Sequence, residues 1–165
     1  DYVFENYYTN EKMNSIFVYT PCQHHRRGNT MEFANYIGEK YKLPVYYKPL
    51  YNDKPFDYLS HHDFTKLWSS HLYHFNLDPI NIHPGGQCIQ VASVGSIHIG
   101  GVNESHHILY PDTATCDEKI LEEKFELYFK DDDKRFEVIN YAWKKLNECY
   151  SIDLVKNQLL EMLDD

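Results

Sequence analysis

The sequence predicts an α/β fold: a Rossmann-like three-layer sandwich with a mostly parallel sheet and a helical C-terminal tail. Three observations lead there. Short β-branched or aromatic runs alternate with helix-period segments through the first 110 residues, the pattern of strand–helix–strand units with helices on both sheet faces. Glycine-containing loops (HHRRGN, HPGGQ, GGVNE) recur where strands would hand over to helices. After Pro111 the strand signal stops and amphipathic helices follow.

The elements follow in order. Residues 1–13, DYVFENYYTNEKM, are aromatic and polar without period and are expected to be a linker or arm. Residues 14–165 are expected to form a single domain. Ser15–Thr20 (SIFVYT) has the composition of a buried strand. Thr30–Lys40 reads as a helix with Phe33, Ala34 and Ile37 as its apolar stripe and Asn29 as a candidate N-cap. LPVYY (43–47) is a second strand, followed by a turn-rich connection to Pro55. Ser60–Ser70 is a helix with Phe64, Leu67 and Trp68 inward, and Ser60 with Asp63 resembles a capping box. His71–Phe75 is a third strand.

The stretch Asn81–Glu104 (NIHPGGQCIQVASVGSIHIGGVNE) is the centre of interest. Pro84, Gly85 and Gly86 bend the chain, and Gln87–Val94 makes two helical turns with Ile89 and Ala92 inward. Gly95 stops the helix, Ile97 lies in a fourth strand, and Gly100-Gly101 opens a loop ending at Glu104. Ile108–Tyr110 is a candidate fifth strand. Asp117–Lys130 is a helix built on Leu121, Phe125 and Tyr128 or Phe129. Asp131–Asp133 supplies first-turn carboxylates where the helix dipole favours them. Lys134–Tyr150 is then a long helix with Phe136, Ile139, Trp143, Leu146 and Tyr150 inward. Ser151 caps a last helix with the stripe Ile152, Val155, Leu159 and Met162.

In such a fold every strand-to-helix loop lies at one sheet edge, where open α/β sheets bind ligands. A glycine-fronted helix N-terminus is also an anion site, because free N–H groups and the macrodipole point outward. Arg26 and Arg27, the only adjacent arginines in a chain of net charge −9, can grip phosphate oxygens with paired bonds, with Gly28 completing their turn. His83 can bond a phosphate or sugar hydroxyl, or buttress its loop. The net charge argues against a general nucleic-acid partner, which wants a basic face.

Four cysteines without a CxxC pair give no zinc knuckle, and a reduced intracellular, cytoplasmic protein is expected. The pairs His24-His25, His61-His62 and His106-His107 lack the i, i+4 spacing of a helical zinc motif, so no metal is expected. No run of about 18 apolar residues marks a membrane segment. The start at Asp1 leads to the expectation of a fragment of a longer, two-domain protein.

Over residues 15–163 the chain resembles the C-terminal, donor-binding domain of GT-B fold glycosyltransferases. The resemblance rests on SIFVYT with RRGNTMEFANYI, on DFTKLWSSHLYHFN, on HPGGQCIQVASVGSIHIGG with GGVNESHHILYPD, and on the tail EKILEEKFELYFKDDDKRFEVINYAWKKLNECYS. It implies metal-independent transfer of a sugar from a nucleotide-sugar donor to an acceptor, with an N-terminal domain supplying the acceptor half and no cofactor. Carried over by position, Arg26 or Arg27 would meet the donor diphosphate, and the backbone at Gly85 and Gly86 would approach the donor. Gln90 stands where many members have a ribose-binding glutamate, and Ile82 where many have a second glutamate. The family's two-glutamate signature is therefore missing. Glu104 is a candidate replacement contact. The resemblance designates no catalytic residue. The alternative reading is a non-catalytic protein-interaction module on a degenerate version of the same fold. A different α/β nucleotide-binding enzyme is a third.

Overall fold

The computed structural model describes residues 11–20, 29–49, 60–77, 79, 86–151 and 153–154. Four strands form one parallel sheet: β1 (Met13–Thr20), β2 (Val45–Pro49), β3 (His71–Phe75) and β4 (Ile97–Ile99), in the order β2-β1-β3-β4. The helices are α1 (Thr30–Tyr41), α2 (His61–Ser69), α3 (Gly86–Ser93), α4 (Glu104–Leu109), α5 (Glu118–Lys130) and α6 (Asp132–Tyr150). A single 3₁₀ turn, Pro111–Thr113, links α4 to α5.

Alternation along each strand sends side chains to two separate cores. Ile16, Val18, Tyr73, Phe75, Ile97 and Ile99 meet Phe33, Ala34 and Ile37 of α1 and Leu121, Phe125 and Tyr128 of α5. On the opposite face Phe17 meets Trp68 of α2, Cys88, Val91 and Ala92 of α3, and Leu109 of α4. The molecule is thus a Rossmann-like three-layer sandwich closed by a helical C-terminal part. Helix α6 spans both layers, with Ile139 in the first core and Ala142 and Leu146 in the second.

Local chemistry explains the element ends. Ser60 accepts from the Asp63 amide at 3.0 Å and donates to its carboxylate at 2.7 Å, the capping arrangement expected there. Asp117 caps α5 through the amides of Lys119 and Ile120, and Asp131 caps α6 through that of Lys134. Asn29 sits at the N-cap position of α1, but its side chain makes no cap bond and reaches Glu118 instead.

Three expectations are corrected. Ile108–Tyr110 is not a fifth strand: Glu104–Leu109 is helical, because the Asn103 side chain accepts the His106 amide at 3.1 Å and nucleates a turn that Pro111 ends. On α6, Phe136 (59% exposed) and Trp143 (37% exposed) do not face inward. The small side chain of Ala142 lies at the contact instead, with Ile139 and Leu146 on either side, and Tyr150 is only partly covered. On α3 the buried stripe is Cys88, Val91 and Ala92, with Ile89 only half-covered. The arm at 1–10, the connection at 50–59, and Ile152, Val155, Leu159 and Met162 lie outside the described residues.

Candidate functional site

The strand order reverses direction between β1 and β3: from β1 the chain travels outward to β2, then returns past β1 to β3 and on to β4. At such a switch point, crossovers on opposite faces leave a crevice beyond the strand C-termini. The described walls of that crevice are the first turns of α1 and α3, the residues just after β3, and the loop after β4.

These walls are tied together by side chains. The Thr30 hydroxyl, at the start of α1, accepts the backbone N–H of Leu77 at 2.9 Å. Asn76, directly after β3 and 5% exposed, donates its side-chain amide to Oε1 of Gln87 in the first turn of α3 at 2.8 Å. Its backbone N–H bonds the carbonyl of Ile99, so β3 and β4 stay paired up to the edge. Beside Gln87, a methyl group added at Gly86 would meet no atom of the other described residues within 4 Å. Helix α3 begins at this glycine, and a helix N-terminus is where free backbone N–H groups can meet an anion.

After β4, Gly100 and Gly101 take φ values of +96° and +90°. Gly101 needs this freedom and the missing side chain, because a Cβ there would press into the His106 ring, 2.7 Å from both nitrogens. His106 is buried, its Nε2 is 3.4 Å from Nε2 of His98, and burial holds its pKa down to about 4. The 3₁₀ turn closes this corner: Thr113 donates its hydroxyl to the His98 carbonyl at 2.7 Å, and its own carbonyl accepts from Gly100.

The sequence-predicted residues divide. Gly86 lies at the N-terminus of α3, where the fold places the crevice. Gln90 lies on the exposed side of α3 one turn further along. Glu104 is exposed in the first turn of α4 and follows the Asn103 cap. Arg26, Arg27, Gly28, His83 and Gly85 lie outside the described residues. Sequence reasoning missed the Asn76–Gln87 pair. The available signal was an amide side chain just past a strand, facing one at a helix start.

Of the adjacent histidines in the sequence, His106 is buried and His107 exposed, so the two rings point apart. Among the described residues no group of three or more histidine, cysteine or acidic side chains is arranged to hold a metal ion, and no helix is long and apolar enough to cross a membrane. A groove of about 470 Å³ lies between the 3₁₀ turn, α5 and α6, lined by Asp112, Tyr128, Lys134, Glu137 and Tyr141 among others; none of the described site candidates, Gly86, Gln90 and Glu104, borders it. No family model and no curated protein matches the chain in sequence.

Proposed function

We propose that this domain binds the nucleotide diphosphate portion of a nucleotide-sugar and serves as the donor half of a glycosyltransferase. The observation that carries the reading is the switch-point edge itself. There the N-terminus of α3, which begins at Gly86, stands beside a neutral amide pair, Asn76 and Gln87. The sequence adds Arg26, Arg27 and Gly28 in the loop after β1, and His83 and Gly85 in the loop before α3.

The mechanism in this reading is electrostatic. Arg26 and Arg27, with the N–H groups at Gly85 and Gly86, stabilise the negative charge that grows on the departing diphosphate. Charge-assisted bonds of this kind are worth about 1.5–3 kcal/mol each. Gln90 offers an amide to the ribose side and Glu104 a carboxylate from the next loop. The acceptor, and any base that activates it, belong to a partner domain. The domain alone binds donor and does not turn it over.

Calorimetric titration of the wild type and of the Arg26→Ala/Arg27→Ala variant with nucleoside diphosphates tests this. Saturable binding weakened at least tenfold in the folded variant supports the reading. Equal affinity in both removes the arginines from it. The competing reading, a non-catalytic interaction module, draws on the missing two-glutamate signature at Ile82 and Gln90. It predicts no nucleotide binding at millimolar concentration.

A further inference from the structure

Among the described residues, four histidines are buried on one face of the sheet or directly over it. Phe17, His74 and His98 are register partners across β1, β3 and β4, so they form one transverse row. Tyr46 of β2 extends that row at the other end. His71 stacks on Phe17 at 5.0 Å, His74 on Trp68 at 4.7 Å, and His106 lies against His98 with ring centroids 4.4 Å apart. All four histidines are 0–1% exposed. The histidines buried among the described residues pack against Phe17, Trp68, Tyr110 and one another, on the α2/α3 side.

These rings are built in as neutral groups. Ser15 bonds Nδ1 of His71 at 2.8 Å, leaving Nε2 without a partner, and Nδ1 of His74 and Nδ1 of His106 have none either. Burial holds His71 down to about 4 and His74 well below the ordinary histidine value. The groups that act electrostatically on them are themselves basic: Lys12 on His71, His71 and Lys12 on His74, and His107 on His106. Among the described residues the other titratable groups facing the cluster include Tyr46 of β2, Cys88 of α3, Tyr110 after α4 and Tyr150 of α6. None of these offers a carboxylate to an imidazolium.

We propose that this histidine row is an acid-triggered release: protons arriving on it free the α3–β4–α4 side of the sheet while the α1/α5 side stays folded. The inference is independent of the nucleotide reading. The sign follows from linkage. A ring held neutral in the fold and free to charge at its ordinary value of about 6.5 when exposed favours the open form as pH falls below 6.5. Each such ring raises the open population about tenfold per pH unit below that point, until its folded value is reached.

Hydrogen exchange read by mass spectrometry at pH 7.5 and pH 5.5 tests it, after correction for intrinsic rates. The expected result is at least tenfold greater opening of α3, β4 and α4 at the lower pH, with α1 and α5 changed less than threefold. Equal opening of both sides overturns the proposal. So does a local opening that persists unchanged in His74→Phe/His106→Phe. Should that variant not fold, the wild-type imidazole Cε1–H resonances decide. Titration of His71, His74 and His106 in place near pH 6.5, with exchange protection intact, contradicts the release.

Discussion

The side-chain amide of Asn76 donates to Oε1 of Gln87 at 2.8 Å, joining the end of β3 to the first turn of α3 at the point where the sheet reverses its strand order. This bond ties the end of β3 to the start of α3, beside the Thr30–Leu77 bond that ties it to α1. Gln87→Leu strands the Asn76 donor in a buried place and is expected to lower stability by about 1–3 kcal/mol in urea unfolding. Gln87→Glu keeps the acceptor and puts a carboxylate in the first turn, where the dipole favours it, so stability stays within about 0.5 kcal/mol. The same carboxylate repels a diphosphate, and the nucleotide titration should show weaker binding in this well-folded variant.

Gly101 and His106 form a second tight pair. Gly101→Ala forces a Cβ into the His106 ring at a φ of +90°, and the expected loss is about 2–4 kcal/mol from overpacking plus strain. In a His106→Ala background the ring is gone and only the backbone strain remains. A double-mutant cycle should therefore show a coupling of about 1–2 kcal/mol, measured by denaturant midpoints.

Lys12 caps two helix ends at once. Its ammonium donates to the carbonyls of Ser69 and Val94, both at 2.7 Å, where α2 and α3 finish. Burial lowers its pKa to about 8. A value depressed from 10.5 means that the fold prefers the neutral amine. Stability gains from this residue as pH rises from about 8 toward 10.5. Tyr73 and Tyr110, whose values burial raises, oppose that gain once an unfolded tyrosine would ionise near 10. Cys88, whose thiol burial pushes up to about 12, opposes it too once the unfolded thiol ionises near 9. The Lys12 contribution is therefore read as a difference, the urea midpoint of the wild type minus that of Lys12→Met widening between about pH 8 and 9.5.

Much of the fold was legible because period and composition agreed. Phe33, Ala34 and Ile37 on α1, and Leu121, Phe125 and Tyr128 on α5, are buried where helical spacing places them. On α6 the same method misjudged the phase. Aromatic bulk at Phe136 and Trp143 outweighed Ala142, although a small residue is what lets a helix approach its neighbours closely. The α4 error has a related cause: Ile108, Leu109 and Tyr110 are strand-like in composition, and the Asn103 cap that overrides them is a single side chain. The histidine row was hidden for another reason. Which ring of a sequence pair turns inward is decided by tertiary contacts, and the cross-strand register that aligns His74 with His98 exists only in the sheet. At the candidate site the sequence indicated the edge and the glycines, whereas the Asn76–Gln87 contact needed the folded chain.

The α6 correction is directly measurable. Phe136→Ser at an exposed position should change unfolding free energy by no more than about 0.5 kcal/mol. Phe125→Ala, at a position with no exposure that stacks against Phe129 and meets Tyr73, should lose about 3–5 kcal/mol. Equal losses at the two positions would return Phe136 to the core.

The measurement that bears most directly on the proposed function is NMR chemical-shift mapping of the isotope-labelled domain with a uridine, guanosine or adenosine diphosphate and the corresponding nucleotide-sugars. Nucleotide binding at the switch-point edge predicts saturable shifts at Thr30, Asn76, Gly86, Gln87 and Gly101, with the α5/α6 surface silent. Shifts confined to the groove at Tyr128, Lys134 and Tyr141, or no saturable shift at millimolar nucleotide, would contradict it.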